Sequence, residues 1–126
     1  MALSNSQVVD VLRAAGEPTR LRILALLAHE ELAVLEICRV LDQSQPRVSR
    51  HLKLLAEARL VERFPDGAWV FYRLVTSGEA RRLVDEVLDI IEPADPTLAR
   101  DSERLRTVQA ERETEAGAYF ARNAAR

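Results

Sequence analysis

Over residues 6–55 and 77–91, apolar residues recur every three or four positions, which is the spacing of amphipathic helices. This pattern predicts five helices, which cover residues 6–15, 18–27, 32–41, 44–55 and 77–91. A last predicted helix over 98–122 is highly charged, and its few apolar residues need a partner surface to be stable. Only Asp42 and Gln43 separate the third helix from the fourth, and two helices joined by so short a turn form a helix-turn-helix.

The period changes to that of β-strands after the fourth helix. Val61–Phe64 and Trp69–Leu74 are rich in β-branched and aromatic residues, and they flank Pro65–Ala68. An Asp-Gly pair between two such segments predicts a hairpin, because Gly67 accepts a positive φ. A hairpin that directly follows a helix-turn-helix is the wing of a winged helix, and the alternative is a plain hairpin that packs on the helices. The expected fold class is therefore mainly α with a small β-hairpin, a winged helix-turn-helix with a long C-terminal helix.

The helix at 44–55 has the composition of a surface that binds DNA. Val48, Leu52 and Leu55 share one face, Ser44 can cap the first turn, and Pro46 suits the start of a helix. The opposite face holds cations and neutral hydrogen-bonding groups and no carboxylate, namely Gln45, Arg47, Ser49, Arg50, His51 and Lys53. Cations neutralise phosphates, and Gln, Ser and Arg side chains bind base edges. The alternative is an ordinary amphipathic surface helix.

We therefore expect the chain to bind double-stranded DNA through this helix and through arginines at the base of the wing. The predicted contact residues are Ser44, Gln45, Arg47, Ser49, Arg50, His51, Lys53, Arg63 and Arg73. The net charge of −2 does not oppose this interpretation, because residues 44–53 hold three cations and no acid. Residues 75–126 hold eight arginines against eleven acids, so we expect the acidic part to face away from DNA.

Length and composition are those of one compact domain with an added helix. The chain has 126 residues, of which 48% are hydrophobic and 30% are charged. No apolar run approaches the roughly 20 residues of a membrane-spanning helix, and the first residues lack the basic and apolar regions of a signal peptide. The single cysteine fits a reducing compartment. We therefore expect a cytoplasmic protein with no membrane partner.

Four motifs, in this order, resemble those of the ArsR/SmtB family of dimeric bacterial winged-helix repressors, over about residues 11–74. They are Gly16–Leu24, Glu31–Ile37, Ser44–Leu52 and Asp66–Leu74. The resemblance implies a homodimer formed through the first helix and the helix at 77–91. It also implies a palindromic operator and release by an inducer, which we expect to be a small molecule. The wide apolar stripe on 77–91 agrees with a dimer, and the alternative is that it packs within one chain.

The metal ligands of that family are missing here. Arsenic-sensing members carry Cys-Val-Cys and a further cysteine on the third helix. At the positions that resemble the triplet this chain has Ala33-Val34-Leu35, and only Cys38 resembles one of those cysteines. One sulfur cannot form a site that needs three or four ligands, and the helix at 77–91 contains no histidine. We therefore expect no metal and no cofactor. Cys38 is interpreted as a small buried hydrophobe, with a redox switch as the alternative.

We interpret residues 1–92 as the DNA-binding and dimerisation domain and residues 93–126 as a helical C-terminal extension. Asp95–Asp101 and Tyr119–Ala125 resemble the connector that joins ArsR-type domains to a methyltransferase, but the glycine-rich cofactor loop of that enzyme is absent. The extension has three open interpretations, which are extra dimer packing, a solvated helix, and one wall of a small-molecule pocket.

The sequence predicts a DNA-binding transcriptional repressor. The first alternative is a protein-interaction module, in which the winged helix grips a protein and the last helix serves as an arm. An enzyme is the second alternative, and we expect no catalytic residues. The chain contains no glycine-rich loop, no nucleophile beside a base and no metal cluster in its sequence.

Overall fold

The computed structural model describes residues 2–124, with side chains as far as residue 114. Within these residues the chain forms α1 (Asn5–Ala15), α2 (Pro18–Leu27), β1 (Leu32–Ala33), α3 (Val34–Leu41), α4 (Gln45–Glu57), β2 (Val61–Asp66), β3 (Trp69–Leu74), α5 (Glu79–Asp89) and α6 (Pro96–Ala124). The three strands form an antiparallel sheet in the order β1-β3-β2. The predicted fold, a mainly helical winged helix-turn-helix with a long last helix, is confirmed.

Local sequence determines where the first two helices begin and end. α1 begins at a capping box, in which Ser4 Oγ accepts from the Gln7 amide and Gln7 Oε1 accepts from the Ser4 amide. Gly16 ends this helix, as predicted. Pro18 then occupies the first position of α2, and the Glu17 carboxylate accepts from an amide of its first turn.

The third helix is shorter than predicted, because Leu32 and Ala33 form strand β1 instead. They pair with Tyr72 and Phe71 of β3, so the wing is joined to the helices by backbone hydrogen bonds. Both β1 residues are buried, and the Ala33 amide donates to the Glu36 carboxylate at 2.8 Å. This pairing with a distant strand overrides the local helical spacing.

The helix-turn-helix consists of α3, a short turn and α4. Asp42 ends α3 in the left-handed conformation, with a φ of 54°, which turns the chain sharply toward α4. Ser44 stands at the N-cap of α4, but its side chain makes no capping hydrogen bond, so this part of the prediction was wrong. At the end of the wing, Gly67 has the positive φ (65°) that the hairpin turn requires, as predicted.

α6 packs against α2 and α3, and this is the partner surface that its sparse apolar residues need. Leu105 and Val108 belong to the same core as the winged helix. Asp101 is 1% exposed and accepts two hydrogen bonds of 2.8 Å from the Arg22 guanidinium on α2. On α3, Arg39 pairs with Glu111 at the surface.

The predicted boundary at residue 92 falls in the link between α5 and α6, and the division into two units stays a prediction. Of the residues that resemble a connector, Asp95–Asp101 span the start of α6, where the Asp95 carboxylate accepts from the Leu98 amide at 3.0 Å. Tyr119–Ala125 lie outside the residues whose side chains are described. No helix among the described residues has the length and hydrophobicity to cross a membrane.

We expect Asp101→Ala to destabilise the fold by about 3 kcal/mol, because it leaves the Arg22 guanidinium in a largely buried position without its counter-charge. Urea unfolding followed by circular dichroism measures this loss. The matched control is Glu111→Ala, which removes the exposed ion pair between α6 and Arg39 of α3 and should lower the free energy of unfolding by less than about 1 kcal/mol. Equal losses in the two variants would contradict the assignment.

Candidate nucleic-acid interface

One face of α4 is buried completely, and this orients the opposite face outward. Val48, Leu52 and Leu55 are each 0% exposed. Each residue turns an α-helix by about 100°, so Arg50 lies opposite the buried face, and both Arg50 and Lys53 are exposed. The outward side of this helix therefore presents cations, as a surface for phosphates and base edges requires.

An open groove of about 450 Å³ separates α4 from the wing. Predicted contact residues line both walls, with Gln45, Ser49 and Lys53 on the helix and Arg63 on β2. The structure therefore brings these four residues together. Tyr72 lines the same groove and was missed by the sequence analysis. The predicted hairpin could have shown that Tyr72 lies on the same face as Arg63. Directly opposed residues of an antiparallel pair share a face, and Arg63 pairs with Tyr72.

Arg73 lies on the opposite face of the hairpin, away from this groove. Its guanidinium stacks on the Phe64 ring at 4.7 Å, and its Nε donates to Glu62 at 3.0 Å. Glu31 is a second carboxylate partner at 3.8 Å. The structure thus separates Arg73 from Arg63 and balances its charge with carboxylates, and its contact with phosphate stays a prediction.

The remaining predicted residues lie at the start of α4 and on its other flank. Ser44 and Arg47 are exposed, whereas His51 is half-buried against α2. His51 Nδ1 lies 3.3 Å from Arg20 Nη1, a distance at which a neutral imidazole can accept a hydrogen bond from the guanidinium. Arg20 also donates from Nε to the Ala14 carbonyl at 2.6 Å. This arginine, which the sequence analysis did not single out, therefore links the end of α1 to α4.

Burial lowers the pKa of His51 below its ordinary value. The positive charges of Arg20, Arg47 and Arg50 lower it further, and the carboxylate of Glu17, 3.8 Å away, opposes them. The imidazole is therefore neutral near pH 7, and its position favours a packing role between α2 and α4.

Cys38 is partly buried against the core, and burial raises the pKa of its thiol. A reactive cysteine needs a lowered pKa, so the environment supports the hydrophobic interpretation over the redox switch. Among the side chains that the structure describes, no three from His, Cys, Asp or Glu are grouped so that they could hold a metal ion.

A short turn between two helices, a cationic outward face on the second helix and an adjoining hairpin define a winged helix-turn-helix DNA-binding protein. A family model described as "Bacterial regulatory protein, arsR family" matches residues 17–63. The chain is also 41% identical over 81 residues to the arsenical resistance operon repressor of Escherichia coli, which covers 62% of this chain and 69% of that relative. The chain belongs to the arsR family, and it is a DNA-binding transcriptional regulator.

Solved structures of similar proteins agree with this assignment. HlyU from Vibrio cholerae matches with a TM-score of 0.64 and 31% identity, covering 72% of this chain and 98% of that one. A homodimeric winged helix-turn-helix DNA-binding domain from Mycobacterium bovis matches with a TM-score of 0.59 and 34% identity, covering 71% of this chain and 91% of that one. The predicted family resemblance is therefore confirmed.

We expect the half-buried His51 to make the fold less stable in acid. Because its pKa is lowered in the folded state, the unfolded chain takes up the proton first, so stability is present above about pH 6.5 and falls as the pH drops through the folded pKa. The fall in unfolding free energy between pH 7 and pH 5 should be smaller in His51→Asn than in the wild type. His29→Asn, at the other, exposed histidine, is the control, and an unchanged pH dependence in His51→Asn would refute the expectation.

Proposed function

We propose that the protein is a repressor that binds a palindromic operator as a homodimer and leaves it when an inducer binds. The observation that carries this proposal is the groove between α4 and the wing, where Gln45, Ser49 and Lys53 face Arg63. Cations on both walls suit the phosphates of one DNA strand, and the amide and hydroxyl groups suit base edges.

The exposed apolar residues of α1 and α5 support a homodimer. Leu12 is 51% exposed, and Ile90, at the end of α5, is 83% exposed. Of the α5 residues only Val84 is buried within one chain, although this helix is strongly amphipathic. A second copy that covers these two helices would bury this surface, and the two-fold symmetry would match a palindromic operator.

The inducer that we propose is a small molecule. At the positions that resemble the thiolate triplet of arsenic-sensing members, Ala33 is buried in strand β1 and Leu35 is exposed on α3. Neither side chain can hold a metal ion. We also propose that the protein acts by binding alone, without catalysis, and that it works in the cytoplasm, because promoter DNA of a bacterial cell lies there.

The test is binding of the full chain to duplex DNA. A preferred duplex is first selected from a random library, and its binding is compared with that of a random duplex by fluorescence anisotropy across a salt series. We expect the selected duplex to bind at least about 10³-fold more tightly than the random one, with a steep salt dependence. An absence of duplex binding at low salt would favour the protein-interaction module instead.

We expect Arg50→Ala to weaken binding to the selected duplex by about 1–3 kcal/mol, because Arg50 is central on the outward side and can form a bidentate contact with guanine. Lys53→Ala is the matched control for a phosphate contact. It should weaken selected and random duplexes alike and reduce the slope of log affinity against log salt by about 0.9. An unchanged affinity of the Arg50→Ala variant for the selected duplex would contradict the proposed role of Arg50 in base recognition.

We expect Leu12→Glu to convert the dimer to a monomer, because it places a charge in the proposed interface of α1 and α5. Light scattering should then give the mass of one chain, 14.2 kDa, in place of twice that value. Leu35→Glu on α3 is a matched control, since Leu35 is 52% exposed and lies outside the proposed interface. A dimeric Leu12→Glu variant would exclude this interface.

A further inference from the structure

One side chain of the C-terminal helix contacts three other parts of the fold. The Arg112 guanidinium donates from Nε to Glu36 Oε2 at 2.6 Å, and its Nη2 donates to the other oxygen of the same carboxylate. Nη1 donates to Glu30, in the segment after α2, at 3.3 Å. The guanidinium carbon also lies 5.6 Å from the centre of the Phe71 ring on β3. Arg112 therefore joins α6 to α3 and to the wing.

The carboxylate that binds Arg112 also holds the strand that anchors the wing. Glu36 is 6% exposed, and its Oε1 accepts from the Ala33 amide of β1 at 2.8 Å. Ala33 in turn pairs with Phe71 in the sheet. The same buried charge thus contacts the backbone of β1 and the cation that covers the Phe71 ring. A carboxylate this buried is stable in its charged form only with such partners.

The wing is held at its base, where Val61 and Leu74 are buried in the core, but its ladder with β1 is short. β1 has two residues, so among the described residues its ladder with β3 consists of two residue pairs. A hairpin held by so short a ladder depends on side-chain packing for its orientation. On the side of α4 the wing faces an open groove. On the far side Arg112 covers Phe71, which stacks on Phe64 with ring centres 5.7 Å apart.

We propose that Arg112 is a positioning residue for DNA binding, which orients the wing from its far side and so sets where Arg63 stands across the groove from Lys53. The inference rests on the proposed function, in which Arg63 contacts phosphate. It differs from a general role of α6 in stability, because the Arg22–Asp101 pair also fastens α6 but does so on α2, away from the wing.

Trp69 on the wing provides a fluorescence signal that reports how the wing packs. Trp69 is the only tryptophan, and its ring centre lies 6.5 Å from that of Phe71, on the same face of the hairpin. The side chain is 52% exposed, so acrylamide can reach it. Quenching of its fluorescence therefore measures the packing of the wing, and it does so without DNA.

The test compares two double variants in the full chain. Glu36→Gln with Arg112→Met removes both charges but keeps an oxygen that can accept from the Ala33 amide, so no charge is left buried without a partner. Arg22→Met with Asp101→Asn removes the other buried pair of α6 in the same way and is the matched control. The single variant Arg112→Lys keeps a cation beside Glu36 without the planar contact to Phe71, and it provides the test if the double variant does not fold.

We expect stronger acrylamide quenching of Trp69 in both Arg112 variants, and wild-type quenching in the control. With the selected duplex, the Arg112 variants should bind about tenfold more weakly, and the slope of log affinity against log salt should fall by about 0.9, as it does when one phosphate contact is lost. In the control both the affinity and the slope should stay at the wild-type values.

Wild-type quenching and an unchanged salt slope in the Arg112 variants would overturn the inference, and so would equal changes in the control. The proposed function can fail separately. A wild-type chain that binds no duplex would overturn that function and, with it, the role of Arg112 in DNA binding. An unchanged Trp69 signal alongside normal wild-type binding would overturn only the positioning role.

Discussion

The DNA-binding side of this protein depends on the complete burial of one face of α4. Val48, Leu52 and Leu55 are fully buried, and each such side chain contributes about 1.5–3 kcal/mol relative to exposure. Rotation of the helix about its axis would expose these residues, so packing determines which residues point outward. The same constraint that stabilises the core therefore directs Arg50 outward and places Ser49 beside the wing.

The parts of the fold that depend on local pattern could be predicted from the sequence, and the parts that depend on distant pairing could not. Helical spacing and the Asp-Gly turn predicted the helices and the hairpin closely. Strand β1 was missed, because Leu32 and Ala33 fit the helical spacing of α3, and the partner strand β3 lies about forty positions away. Arg63 and Arg73 were both predicted as cations at the base of the wing. The alternation of side chains along a strand could have shown that they lie on opposite faces of the hairpin.

The ion pairs that hold α6 also depend on contacts between distant residues, which the sequence alone could not predict. The net charge of residues 75–126 indicated an acidic C-terminal part, but it could not show that Asp101 and Glu111 form ion pairs with Arg22 of α2 and Arg39 of α3. These partners are more than 70 positions apart in sequence. These pairs neutralise charge within the chain, and among the described side chains no ion pair involves Arg47, Arg50 or Lys53. Within the part of the chain that the structure describes, the groove is lined by Lys53 and Arg63 and by no acidic residue, so it is more basic than the net charge of −2 indicates.

The contact between Arg20 and His51 bears on how a dimer would recognise two half-sites. Arg20 donates to the Ala14 carbonyl at the end of α1 and contacts His51 on α4, so one guanidinium connects a helix of the proposed dimer interface to the helix proposed to bind DNA. The two α4 helices of a dimer match a palindrome when they lie one DNA turn apart, roughly 34 Å, or a multiple of that distance. Under the proposed dimer, that separation depends on how rigidly α1 is joined to α4 in each chain. A half-buried, neutral His51 suits this connection, because it packs against Arg20 without adding a second positive charge beside the guanidinium.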